Sequence, residues 1–298
     1  MNRKLKTRNQ KEAYLLILPI FIFFAIYSVY PLCFNIYYAF TDWSGISQSW
    51  NWVGLKNFRE LTSDRVLKTI VKNTVVYFFM TIFPQALLGL FLAHIISGMK
   101  RGGKLVRALF YFPNIVPLSI ICITFLKIFE THGGSLNQLL QMIGMGAYTQ
   151  QWLAKPSLAF QCLIGINIWV YTGFSMFLYC VNMTNIPSEL YEAATIDGAG
   201  GFQCFTHITV PLLKNTHMTL ILLGMISCIK NFDLPYLVTK GGPAHKTEFF
   251  STYMYYLSFD KFQQGKAAAV VCLMLLASFV LSVLQLKMYG VGLSEKER

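Results

Sequence analysis

Long apolar runs separated by shorter polar stretches organise the whole chain. Crossing a bilayer takes about 20 consecutive, mostly apolar residues. Ala13–Tyr37, Val71–Ile96, Ala108–Phe129, Ser157–Asn182, Leu212–Asn231 and Lys266–Met288 meet that requirement. Each predicts a helix, because a segment in hydrocarbon must satisfy its own backbone polar groups. Prolines fall inside several of the runs: Pro19 and Pro31, then Pro84, then Pro113 and Pro117. Spanning helices tolerate them where neighbours take up the freed carbonyls. The first run is too long for the apolar core of a secretory signal, and no A-x-A-like site follows, so it reads as an uncleaved span. The expected fold is an all-α polytopic membrane protein, one transmembrane domain over residues 1–298 with six transmembrane helices.

Composition agrees with the pattern. Charged residues make up 13% of the chain and hydrophobic residues 55%, whereas soluble domains carry about 25% charged residues. The net charge is +12, but the basic residues cluster beside spans rather than among aromatics on a folded domain. Arg3, Lys4, Lys6, Arg8 and Lys11 crowd a tail at residues 1–12, and more lie between Lys100 and Arg107. Such clusters are topology signals, and nucleic acid is excluded as a partner. With an even number of spans, the tail, the loop Ser97–Arg107, the loop at 186–211 and the C-terminus then face the cytoplasm. The tryptophan-rich loop Thr41–Lys68 and the loops Glu130–Pro156 and Phe232–Gly265 face outward. The protein is expected in the plasma or inner membrane, in contact with lipid.

Catalytic chemistry finds little support. The seven cysteines are scattered without paired spacing, six of them in apolar runs, and read as packing residues rather than disulfide partners or metal ligands. No metal site is expected. GxSxG, HExxH and GxxxxGK[ST] are absent, so the chain has no P-loop for ATP.

The loop between the fourth and fifth runs is different. It reads IPSELYEAATIDGAGGFQCFTHITVP over residues 186–211. Pro187 and Ser188 open a helix. Glu189 and Glu192 share one face of it, and Ala193 and Ala194 favour helix without bulk. Asp197-Gly198-Ala199-Gly200-Gly201 breaks it. Phe202, Phe205 and Ile208 form the stripe of a second short helix, which Pro211 is expected to end. A bare connection between antiparallel spans needs only a few residues. The plain alternative to a docking element is a solvated acidic helix.

The segment Glu192-Ala193-Ala194-x-x-Asp197-Gly198-Ala199, with Ile208 and Pro211 downstream, resembles the EAA motif of binding-protein-dependent ABC importer permeases. The wider wording is similar to their carbohydrate-uptake branch, the maltose-type permeases of the MalF kind. Matching stretches, in order, are Val53-Gly54-Leu55-Lys56-Asn57-Phe58, Asn73-Thr74, Arg107 with Pro113, Leu136-Asn137 and Trp152-Leu153. Asn231-Phe232-Asp233, Thr239-Lys240-Gly241-Gly242-Pro243, Thr247, Gly265 and Ala267-Ala268-Ala269 follow. Extra N-terminal spans and a large external domain are lacking, as in the shorter six-span members.

The resemblance implies a type I ABC importer permease whose loop carries a cytoplasmic coupling helix. Glu189, Glu192, Ala193, Ala194, Asp197, Gly198, Ala199 and Pro211 would form the ATPase-coupling set. Glu192 would pair with a basic ATPase residue, Gly198 would supply the turn, and the alanines would allow close approach. The implied partners are a second, homologous permease completing a heterodimeric pore, two cytoplasmic ATPase subunits and an extracytoplasmic solute-binding protein. No cofactor is bound by this chain, since ATP and Mg sit on the ATPase. Sugar sites in the family lie mid-membrane, which singles out Asn167, Trp169, Tyr171 and Ser175 on the fourth span and Gly224 and Ser227 on the fifth. A non-sugar cargo such as a glycerol phosphate ester is the nearest alternative. A membrane-embedded enzyme or a polytopic receptor is further off.

Overall fold

The computed structural model describes residues 14–99 and 101–293. The basic tail 1–12, Lys100 and the extreme C-terminus lie outside the described residues. Among these residues the regular structure is helical, with one isolated bridge between Thr41 and Trp52. In chain order the helices are α1 (Tyr14–Tyr38), α2 (Lys56–Ser63), α3 (Arg65–Ser97), α4 (Gly103–Ile115), α5 (Leu118–Ile128), α6 (Ser135–Met142) and α7 (Pro156–Met183). There follow α8 (Ser188–Ile196), α9 (Gly201–Leu212), α10 (Lys214–Ile229), α11 (Asp233–Thr239), α12 (Phe250–Tyr255) and α13 (Gln264–Leu293). The spans α1, α3, α7 and α13 are each long and apolar enough to cross a membrane, and the pairs α4–α5 and α9–α10 qualify when each is taken as one bent span.

The third span therefore differs from the continuous helix expected over Ala108–Phe129. It is two helices that meet at 89°. Pro117 is the cause: the residue before a proline is pushed out of the helical region, and Val116 is extended at φ −69°, ψ 133°. Other prolines are absorbed. Pro31 and Pro211 each follow, two residues on, a widened π turn, at Ala25–Val29 and Phe205–Thr209. A proline ring presses on the carbonyl one turn back, and a π turn opens that turn. Hence α9 runs through Pro211 to Leu212 and bends by 59° only at Leu213, rather than ending at the proline. The loops also hold helices that the apolar pattern did not reveal: α2, α6, α11 and α12.

The chain divides into two compact units, one of residues Met1–Asp64 with Met254–Leu275, the other of Arg65–Tyr253 with Leu276–Arg298. In the first, Asn57 is buried and donates to the Ala39 and Thr41 carbonyls at 2.9 and 2.8 Å. In the same unit Tyr38 stacks on Trp43 and meets Trp50 edge-on.

In the second, α7 is the central helix. Gly173 allows α4 to approach it, since a Cβ there would sit 2.0 Å from the Phe110 carbonyl oxygen. Close backbone approach through small residues is a common way for spanning helices to pack. One core cluster gathers Tyr77, Leu163, Ile166 and Phe249, and another Leu90, Met176, Tyr179 and Leu213. Buried asparagines tie loops to this frame. Asn73 donates to the Lys246 and Glu248 carbonyls, each at 3.0 Å. Asn137 donates to Thr131 and Gln150 and accepts the Trp152 indole N–H at 2.8 Å. The motif asparagines 57, 73 and 137 are thus loop clamps. Lys127 and Glu130 form a solvent-exposed ion pair at 3.3 Å.

Candidate functional site

The elbow formed by α8 and α9 is built almost wholly from local rules. Helix α8 ends in a Schellman motif. The Ala199 N–H donates to the Ala194 carbonyl at 2.9 Å and the Gly198 N–H to Thr195 at 3.1 Å. Gly198 occupies the left-handed position with φ +80°, where a β-carbon costs about 1–2 kcal/mol. The next helix starts at once: the Gln203 side chain accepts the Gly200 N–H at 2.8 Å, one half of a capping box. No residue of α8 is buried. Glu189, Glu192, Ala193 and Asp197 are exposed, with Ala194 and Ala199 half-buried. Leu190, Ile196 and Phe202 are exposed too, Ile196 by 87% and Phe202 by 78%. The expected apolar stripe of α9 therefore does not pack at Phe202, which lies in the exposed first turn of the helix. Phe205 instead meets His94 of α3, with ring centroids 4.4 Å apart. An open groove of about 380 Å³ lies between the two helices, lined by Ala194, Gly198, Gln203 and Ile208 among others. His207 is an exposed polar residue that contacts Thr206 and Gln203. An exposed helix carrying both acidic and apolar side chains, closed at its C-terminal end by a defined turn, suits docking against another protein.

A second site lies among α3, α4, α7 and α10. It is a cavity of about 290 Å³, near the lower end of the roughly 300–1,000 Å³ typical of ligand pockets. From the residues singled out in sequence, it brings together Asn167, Tyr171, Ser175, Gly224 and Ser227. It does not include Trp169. A step of two residues turns a helix by about 200°, so Trp169 points away from Asn167 and Tyr171. It packs edge-on against Phe125 and is half exposed. Sequence reasoning missed Tyr77, Gln85, Asn114 and Asn231, which also line the cavity. Gln85 donates to the Asn167 side-chain oxygen at 2.6 Å and to its carbonyl at 3.1 Å. The Tyr77 hydroxyl and the Asn231 amide nitrogen are buried and face each other without a hydrogen bond of normal geometry. Buried polar groups are normally satisfied, so a polar guest that reached this pair would find unmet hydrogen-bonding capacity. None of the lining residues carries a charge. The signal for the missed residues was present: Gln85, Asn114 and Asn231 are polar positions inside apolar runs, which are costly unless they serve a purpose.

Residues 85–287 match the family described as "Binding-protein-dependent transport system inner membrane component". The chain is 33% identical to the probable ABC transporter permease protein YurN of Bacillus subtilis over 290 residues, covering 97% of this chain and 99% of that one. It is 30% identical to the trehalose/maltose transport system permease protein MalF of Thermococcus litoralis, covering 96% of each. In three dimensions it is similar to a chain of a bacterial ABC transporter involved in the import of the acidic polysaccharide alginate, with TM-score 0.83 and 23% identity over 96% of this chain and 98% of that one. The chain belongs to the family of binding-protein-dependent transport system inner membrane components: it is a multi-pass permease subunit of an ABC importer, a transport component rather than an enzyme.

Proposed function

We propose that this permease imports an uncharged saccharide, driven by a separate ATPase that grips the α8–α9 elbow. The observation that carries the coupling reading is the elbow's geometry: an exposed helix with no buried residue, closed by a glycine in the left-handed region. Glu189 and Glu192 offer it charge for a basic cleft, and Ala193 and Ala194 offer close approach. In this reading the elbow and both termini are cytoplasmic, and a second, homologous permease completes the pore. Two ATPase subunits bind ATP and Mg, and a binding protein delivers cargo from outside. ATPase closure would move the elbow and alternate the cavity's access between the two sides.

The saccharide reading draws on the cavity's chemistry and on the trehalose/maltose permease among its relatives. Asn167, Gln85, Asn231 and Ser227 supply amide and hydroxyl groups for a polyol, and Tyr77 and Tyr171 supply rings beside them. A glycerol phosphate ester would need a cation, and the cavity lining has none.

The test of coupling is a cysteine at Ala194 in the complex assembled with its ATPase. A disulfide to the ATPase whose yield changes with ATP supports the reading. A correctly inserted complex that gives no such crosslink sinks it.

A further inference from the structure

Gripping the elbow accomplishes nothing unless its motion reaches the cavity, and besides the packing of Phe205 on His94 a buried hydrogen-bonded contact joins the two. The Tyr179 side chain is fully buried, and its hydroxyl lies 2.7 Å from His217 Nδ1. His217 Nε2 lies 3.1 Å from the Val210 carbonyl. A carbonyl can only accept, so Nε2 carries the proton and donates it, leaving Nδ1 to accept the Tyr179 hydroxyl. Val210 belongs to α9, just before the bend at Leu213, where the regular helical hydrogen-bond ladder is interrupted. Tyr179 lies one helical turn from Ser175 and two from Tyr171, on the cavity-facing stripe of α7. His217 lies two turns from Gly224 on the matching stripe of α10. On the elbow side, the Tyr191 hydroxyl of α8 meets Thr209 Oγ1 at 2.8 Å. A run of hydrogen bonds therefore leads from the exposed helix, through α9 and the root of α10, to α7.

We propose that Tyr179 and His217 are a positioning pair that makes the cavity helices follow the elbow. The proposal rests on the coupling reading above. Spatial continuity alone does not establish coupling, so the test reads the coupling itself.

The experiment uses the full importer in proteoliposomes. A chain with its native cysteines replaced carries a reporter cysteine in place of Ser227, and N-ethylmaleimide labelling is timed with and without ATP plus vanadate. With the pair intact, trapping changes the labelling rate. Tyr179→Phe should shrink that response about fivefold, the equilibrium worth of one hydrogen bond. His217→Leu removes both ring nitrogens and so cuts the same tether, and should do the same. The double variant should be no worse than either alone, because both remove one link. Crosslinking of Ala194→Cys to the ATPase should survive in all three, which shows that they fold and dock. A full labelling response in either single variant, with docking intact, overturns the tether, and so do additive losses. Absence of the Ala194 crosslink in the otherwise unaltered chain overturns the coupling reading instead.

Discussion

The elbow and the cavity are opposite kinds of construction. The hydrogen bonds that shape the elbow's turn join residues three to five apart in sequence, from Ala194 to Ala199 and from Gly200 to Gln203. The cavity takes Tyr77 and Gln85 from α3, Asn114 from the end of α4, Asn167 from α7 and Asn231 just beyond α10. One is a local motif that would keep its shape on many scaffolds. The other exists only if four helices pack correctly. On the proposed reading, docking and cargo binding should therefore be separable by mutation.

The largest effect belongs to Gly198. Gly198→Asp places a β-carbon at φ +80°, and with about 1–2 kcal/mol of strain added to a new charge, uptake should fall tenfold or more. The ATPase should no longer copurify, while the inserted protein accumulates as usual. Gly201→Ala is the matched control. A Cβ at Gly201 meets nothing within 4 Å, and φ there is not positive. Alanine favours helix over glycine by about 1 kcal/mol, so uptake and copurification should be unchanged. Equal damage from both variants would mean that glycine content, rather than the left-handed turn, matters in the elbow.

Gly173→Val attacks the other construction. Its Cβ would collide with the backbone at Phe110, and overpacking costs about 1–3 kcal/mol. Melting of the detergent-solubilised protein should shift down, and the cavity should be lost with the α4–α7 contact. The surviving folded fraction should still bind the ATPase, because no elbow hydrogen bond depends on α4. Loss of ATPase binding in that fraction would erase the distinction between the two regions.

Within the cavity the expected effects are smaller and of opposite sign. Tyr77→Phe and Asn231→Leu each remove one atom of a buried polar pair that makes no hydrogen bond of normal geometry. An unsatisfied buried group costs about 1–3 kcal/mol, so each variant should melt higher than the parent. Transport of the cognate sugar should nonetheless weaken, with the half-saturating concentration at the permease step raised about fivefold for a lost hydrogen bond. Trp169→Ala should leave that concentration alone, because the side chain packs on Phe125 outside the cavity.

Legibility in the sequence followed the same division. Apolar run length located the long spans, α7 to within one residue at each end, because α3, α7 and α13 need only length and hydropathy, while α3 starts six residues before Val71, at Arg65. The elbow was readable down to Gly198, since its turn is encoded by neighbours. The 89° break at Val116 was signalled by Pro117, yet Pro84 and Pro113 sit inside helices. Only three-dimensional neighbours decide which proline breaks a helix and which is absorbed. Cavity residues were half readable for a related reason. Spacing along one helix links Asn167 to Tyr171 and Ser175, but no spacing links them to Tyr77 or Asn114 on other helices. Trp169 looked attractive by residue type, and helical phase removed it.

The smallest effect lies in neither region and serves as their baseline. Asp42, in the unit that holds the tryptophan cluster, accepts the Asn51 backbone N–H at 2.6 Å and the Asn51 side-chain amide at 3.2 Å. These bonds favour the carboxylate and hold its pKa below the ordinary value. A carboxyl group with a lowered folded pKa stabilises its loop above its unfolded pKa of about 3.9, and the benefit fades as pH falls through the lower folded value. Acidification should therefore change the fluorescence of Trp43 and Trp50 with a midpoint below about 3.9. Asp42→Asn should abolish that transition while leaving neutral-pH uptake and ATPase binding intact, because the elbow and cavity residues belong to the other unit. A midpoint above the ordinary carboxylate value would mean that the Asn51 bonds are absent in solution. Impaired uptake in Asp42→Asn would mean that this loop takes part in transport, and the two-region division would have to admit a third.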